Sequence, residues 1–395
     1  MGFLSGTIGF ERFRVDGPAF KQFGPKHVKE LEKHAIAKIV GASPESVLVG
    51  FLAGGHLFDQ TFTLEKNIVN DTLHCGIRID TNKIPSALRR AWLAIELAPL
   101  LEENPDGVLT KQQRKEAKEA VEARCEEEAK TGKFKRMQQF HVLWDGPEEI
   151  LYIGSSATGP IEHGTDLFSR AFDLKLERMG AGLLAARWGQ ANKKLGKLEE
   201  LEPTVFHADE PGAHAMWLNK AGTSHDFLGN EFLLWLWWTL EEQEDTITLA
   251  DKSEVVVMMQ RTLSLECPRG DSGKETILAE APVRLPEAHH ALKFGKLPRK
   301  SGLMLVRHGI QYELVLQAET FGVSGGKIKF PESDEDEGPL EIMRVDGLRS
   351  LVETLDLLYA KFLDRRTSKG WNEDVTKIRK WLSREAKKEK KQSVA

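Results

Sequence analysis

Residues 138–156 read QQFHVLWDGPEEILYIGSS, two apolar runs separated by Gly146-Pro147. A Gly-Pro dipeptide punctuates the chain, because proline fixes its own φ and has no N–H to give to a ladder. The runs on either side, FHVLW and ILYI, are strand-like, so the segment predicts an antiparallel hairpin. Working outward, TLHCGIRID predicts a second strand, and Phe3 to Val15 another. Val47 to Phe51 reads as a short strand ended by the Gly54-Gly55 turn, and Lys26 to Lys38 as a helix with Leu31, Ala35 and Ile36 on one face. Pro85 opens a helix through SALRRAWLAIEL, proline being suited to the first helical turn. Asp166 to Trp188 predicts one amphipathic helix, from Leu167, Ala171, Leu174 and Leu176.

The second half repeats this style. An aromatic-rich helix is expected over Asn230 to Leu240, with strands at Thr246–Leu249, Glu254–Glu266, Leu303–Arg307 and Ile310–Ala318. Leu348, Leu351, Val352, Leu355, Leu358 and Phe362 recur at helical spacing and give a last core helix. Strands and helices come in mixed runs, without strict βαβ alternation. The fold expected is therefore α+β, with mixed or antiparallel sheets and flanking helices. The expected divisions are an N-terminal α/β part over 1–190, an irregular connector over 191–225, a second α/β part over 226–366, and a basic C-terminal helix and tail over 367–395.

The 395 residues carry 55 Lys and Arg against 60 Asp and Glu, a net charge of −5. That sum does not exclude nucleic acid, because binding follows the local arrangement of cations. The three cysteines, Cys75, Cys125 and Cys267, are far apart and include no CxxC pair, which suits a reducing, cytoplasmic compartment. The N-terminus lacks the basic start of a signal peptide. The most membrane-like run, FLGNEFLLWLWWTL, contains Asn230 and Glu231 and falls short of the roughly 20 residues a bilayer requires. The acidic run PESDEDEG at 331–338 reads as a solvated loop.

Between the two expected strand groups lies TKQQRKEAKEAVEARCEEEAKTGKFKR, Thr110 to Arg136. Lys111, Arg114, Lys115 and Lys118 fall on one helical face and could track phosphates. They could equally belong to an exposed helix laced with ion pairs such as Lys115–Glu119 and Lys118–Glu122. Gly132 ends the helix and leaves Phe134 among Lys133, Lys135 and Arg136. That phenylalanine either sits exposed at a contact or begins the next strand facing the core. A second basic cluster, Lys293, Lys296, Arg299 and Lys300, reads as a loop able to meet phosphate. A third lies on a C-terminal amphipathic helix, with Trp371, Val375, Ile378 and Leu382 apolar and Lys377, Arg379, Lys380, Arg384 and Lys387 around them.

Catalytic signatures are scarce. His207, Asp209, Glu210 and His214 lie close in sequence but meet no standard ligand spacing. GVSGGKIKF, at 322–330, lacks the GxxxxGK spacing of a phosphate loop and reads as a turn before a strand. No GxSxG elbow occurs. The residues suggest a binder rather than an enzyme, with no cofactor or metal.

Several of these segments, in order, resemble the recombination-associated protein RdgC family. GFLSGTIGFERFRV is similar to its N-terminal strand, and LHCGIRIDTNKIPSALRRAW, with Lys83, Ile84 and Pro85, to its strand–lysine–proline–helix element. The charged stretch followed by FHVLWD resembles its charged helix and the strand after it, with Phe134 at the family's subunit-contact phenylalanine. SHDFLGNEF and EAHHALKFGKLPRKSGLMLVRHGIQYELVLQAETFGVSGGKIKF resemble two further regions, Gly295-Lys296 matching a recurrent pair. The Trp235, Trp237 and Trp238 run departs from the pattern, as in a divergent branch. A second-half DNA contact has two open placements, Arg269 or Lys274-Glu275-Thr276.

The resemblance implies a ring-forming homodimer with a protruding charged helical finger at about 105–136. It implies a protein of the cytoplasm and nucleoid that encircles double-stranded DNA, with single strands left open, and antagonises a RecA-type recombinase. The expected DNA contacts are Lys111, Arg114, Lys115, Lys118, Lys133, Lys135, Arg136, Lys274, Lys296, Arg299 and Lys300, with Phe134 at the dimer interface. The alternatives are a metal-dependent hydrolase built on the His207 cluster and a protein-interaction module without nucleic acid.

Overall fold

The computed structural model describes residues 2–17, 22–39, 47–104, 107–206, 225–268, 273–331 and 339–383. The first half runs β1 (Ile8–Asp16), α1 (Pro25–Lys33), β2 (Leu48–Leu52), α2 (Leu64–Asn67), β3 (Ile68–Val69) and β4 (Thr72–Thr81). Two helices follow, α3 (Ser86–Glu103) and α4 (Lys111–Lys130), then β5 (Arg136–Asp145) and β6 (Ile150–Ile153). Next come α5 (Thr158–Phe172), β7 (Lys175–Arg178), α6 (Ala181–Ala191) and α7 (Leu195–Glu199).

The second half holds α8 (Phe227–Glu242), β8 (Thr246–Thr248), β9 (Glu254–Glu266), β10 (Glu275–Ala279) and α9 (Pro286–Lys293). It ends with β11 (Leu297–Arg307), β12 (Ile310–Gln317), β13 (Val323–Lys329), α10 (Leu340–Arg366) and α11 (Trp371–Leu382).

Among the described residues thirteen strands form one sheet, in the order β10-β9-β11-β12-β13-β1-β6-β5-β4-β2, with β3 beside β4, β7 beside β1 and β8 beside β9. Every pairing between these strands is antiparallel. The fold is thus α+β, built on a large antiparallel sheet. β1 is the hinge of the sheet: Ile8 and Phe10 pair with β13, and Glu11 to Arg14 pair with β6.

The hairpin of β5 and β6 explains the layering. All four residues of β6 are buried. Because neighbouring side chains on a strand point to opposite faces, such a strand must be covered on both sides. Leu151 and Ile153 join Phe13, Trp144 and Phe168 in a core under α1 and α5. Ile150 and Tyr152 join Phe10 in a larger core with α8, α10 and α11. That larger core draws on both the 1–190 and the 226–366 segments.

Three expectations change. The single helix over Asp166–Trp188 is α5, β7 and α6, because Asp173 takes a left-handed φ of 53° at the end of α5. Such a φ stops a right-handed helix, and β7 then pairs with β1. The helix at 26–38 ends at Lys33, with a separate 3-10 turn at Ile36–Lys38. The segment 322–330, expected as a turn leading into a strand, is largely the strand β13 itself.

Candidate nucleic-acid interface

The charged stretch is half of a helical hairpin. Thr110 and Gln113 form a reciprocal capping box at the start of α4, and Gly132 follows its end with a left-handed φ of 70°. The start of α3 meets the second half of α4, and the end of α3 meets the start of α4. Arg89 pairs with Glu122 at 3.0 Å, Arg124 lies 4.7 Å from the Trp92 ring centroid, and Asn104 donates to Gln113 at 3.1 Å. α3 and α4 are therefore antiparallel, and they pack chiefly on each other. Their shared core is small: Ile84, Trp92, Val121 and Cys125.

Phe134 belongs to that core. It is half-buried against it, which corrects the expectation of an exposed ring among three cations. That cluster is assembled from Ile84, α3 and α4 together, so neither neighbouring residues nor periodicity could show it.

Lys111, Arg114, Lys115 and Lys118 are all exposed on α4. Lys115 makes the expected pair with Glu119, at 3.6 Å. The expected Lys118–Glu122 pair is absent among the described contacts, Glu122 being taken by Arg89. Lys111, Arg114 and Lys118 make no ion pair among the described residues. They run along the first half of α4, beginning with Lys111 in the first turn, where the helix dipole favours anions and no acid is present. Further along, Lys133 and Arg136 are exposed. Lys135 instead pairs at 3.2 Å with Asp80, which Arg78 also holds at 2.6 Å. Burial works to raise the Asp80 pKa, but the hydrogen bonds from Arg78 and Lys135 prevail and hold it below the usual carboxylate range.

The second-half cluster is not a cationic loop. It spans the end of α9 and the first residues of β11. Lys296 is buried and paired with Glu275. Arg299 bridges Glu319 at 2.7 Å and Glu266 at 2.9 Å, and Glu319 also accepts from Asn230. A buried cation holding its own carboxylates is fixed by the fold, since removing either partner would leave a charge without compensation. Lys274 and Lys300 remain exposed. Arg269 lies outside the described residues.

Sequence reasoning missed a further set. Met258, Met304, Glu313 and Lys327 stand in register across β9, β11, β12 and β13, on the face turned away from the larger core. Met258 is exposed at 42%, as is Lys327. Arg261 and Lys329 both bond Glu313, at 2.9 and 2.5 Å, and keep more than half of their own surface in water. The signal was present as alternation in GVSGGKIKF, where Lys327 and Lys329 share a face.

His207, Asp209, Glu210 and His214 lie outside the described residues. Among the described residues no group of three or more His, Cys, Asp or Glu could hold a metal ion, and no helix is long and apolar enough to cross a membrane. Compared with known proteins, the chain matches no family model and no curated sequence.

Proposed function

We propose that the chain is a non-enzymatic, sequence-tolerant binder of double-stranded DNA, which encircles the duplex as a homodimer in the nucleoid and restrains RecA-type strand exchange. One observation carries the reading: Lys111, Arg114 and Lys118 lie exposed along one face of the first half of α4, make no ion pair among the described residues, and begin in the first turn, the end that the helix dipole makes positive. A cation in that first turn costs helix stability, so helix formation does not account for Lys111. An approaching phosphate backbone would. Lys133, Arg136, Lys274 and Lys300 are further exposed contacts in this reading, whereas Lys135, Lys296 and Arg299 serve the fold first.

The homodimer rests on a second feature of the same hairpin. Ala91, Ala94, Ile95, Ala98 and Leu101 lie on one face of α3, exposed, with Ile95 at 60%. This stripe, rather than Phe134, is the surface through which two copies would meet. Ile95→Asp should convert the oligomer to monomer by light scattering; an unchanged mass would remove α3 from the contact.

Duplex affinity across a salt series tests the binding itself. A handful of phosphate contacts should lose about a thousandfold between low and moderate salt. Replacing Lys111, Arg114 and Lys118 together by Ala should reduce the slope of log affinity against log salt by about 2 to 3. Duplex binding that is absent, or flat with salt, rejects the proposal. The α3 stripe also favours a second reading, a protein-interaction module without nucleic acid, in which salt leaves partner binding nearly unchanged and duplex DNA does not affect stability.

A further inference from the structure

A groove of about 610 Å³ runs between α8, α10 and α11. Its walls include Trp235 and Trp238, both nearly buried, so the indoles offer the groove little more than their edges. Arg365 and Asp374 also line it, and they bond each other through two hydrogen bonds that clamp α10 to α11. Their charges cancel.

What remains is three lysines. Lys361 lies one turn before Arg365, and Lys377 and Lys380 follow Asp374 at successive three-residue steps, so the clamp turns all three toward one groove. Each is exposed, and none of their ammonium groups makes an ion pair or hydrogen bond among the described residues. Glu242 is the one other carboxylate in the lining. The three lysines outnumber that carboxylate, so the groove keeps a net positive charge, and like charges gathered there repel one another. Two other grooves carry different chemistry. One, beside His141, Ser155 and Ser324, has no charged lining, and another gathers Glu148, Glu353 and Asp356.

We infer that the α8–α10–α11 groove binds a small phosphorylated anion of the diphosphate class. Ammonium groups meet phosphate as mobile point charges, and three of them match the several oxygens of a diphosphate. The volume falls in the range of small-molecule sites, roughly 300–1,000 Å³. This inference is independent of the DNA reading, which rests on α3 and α4.

Titration calorimetry of the full chain with inorganic diphosphate tests it, with sulfate at matched ionic strength as the control. Saturable binding of diphosphate beyond that of sulfate is expected. Lys377→Ala with Lys380→Ala should weaken it by about tenfold or more, the scale of losing charge-assisted contacts, while duplex affinity stays unchanged. Both positions are exposed, so circular dichroism should report an intact fold. Diphosphate binding no tighter than sulfate, or equal in the double variant, overturns the inference. So does a double variant that loses duplex affinity while the wild-type chain takes no diphosphate, since the lysines would then belong to a nucleic-acid path.

Discussion

α4 and α8 are both long helices, and they are held in place by different physics. α8 is buried from Phe227 to Thr239, with its amide and carboxylate matched: Asn230 donates to Glu319, and Glu231 pairs with Arg366 at 2.7 Å. Gly229 lets it approach the sheet, because a Cβ there would sit 1.9 Å from the Ala318 carbonyl oxygen. α4 buries only Ala117, Val121, Cys125 and Ala129, a narrow stripe at four-residue steps. Its ends are secured by the capping box and Gly132, and its outer surface is left to charge. A helix that packs so little is free to present its exterior to a partner; α8 exposes only its last turn.

The largest effect should come from α8. Trp237 is fully buried, and its Nε1 donates to Glu241 at 2.6 Å. Glu241 also accepts from Trp381 at 2.9 Å and faces His289. Trp237→Ala would open a cavity and loosen that carboxylate, at a cost of about 3–5 kcal/mol. Denaturant unfolding should show it as a lower midpoint for the whole chain. A cost under about 1 kcal/mol would mean that α8 is less integral to the core than its burial implies.

Much of this contrast could be read from the sequence. The β5–β6 hairpin, the bounds of β9, the helix ending before Gly132 and the core nature of the tryptophan run all follow from local pattern. What escaped depended on distant partners. Nothing around Lys296 or Arg299 reveals Glu275 or Glu319, so their charge read as availability. Apolar spacing persists through Asp173, so the break between α5 and β7 is set by the pairing of β7 with β1. Phe134 looked exposed because the cluster it packs against is assembled from Ile84, α3 and α4 and not from its neighbours in sequence. Of the expected phosphate contacts, those on α4 and Lys300 stayed on the surface, whereas Lys296 and Arg299 were taken up by carboxylates of the fold.

An intermediate effect tests the sheet between these helices. His74 and His141 stack at 5.5 Å, nearly parallel, and neither His74 ring nitrogen has a hydrogen-bond partner. Burial pushes their pKa values down to about 3 and about 4. The folded chain therefore stays unprotonated where the unfolded chain, near 6.5, takes up protons. Stability should be level above pH 6.5 and fall as pH drops below it, by roughly 2 kcal/mol at pH 5 from His74 alone. That window lies above the range in which the depressed Asp80 and Glu241 carboxylates titrate. His74→Leu should roughly halve the slope between pH 6.5 and 5, His141 carrying the rest, and an unaltered slope would place its origin elsewhere.

The smallest effect bears most directly on the comparison. Thr110 Oγ1 accepts from the Gln113 amide at 3.2 Å, and Gln113 accepts from the Thr110 amide at 3.0 Å. Thr110→Ala removes the hydroxyl half of the box, worth about 1 kcal/mol. The dipole-opposed cations nearby leave little to replace it. If α4 is held locally, hydrogen exchange should quicken in its first turns while global unfolding barely moves, since hairpins with few buried contacts open on their own. A uniform loss of protection reaching α8 would join the two helices in one cooperative unit. The hairpin's exposed charge would then need a reason other than independence from the core.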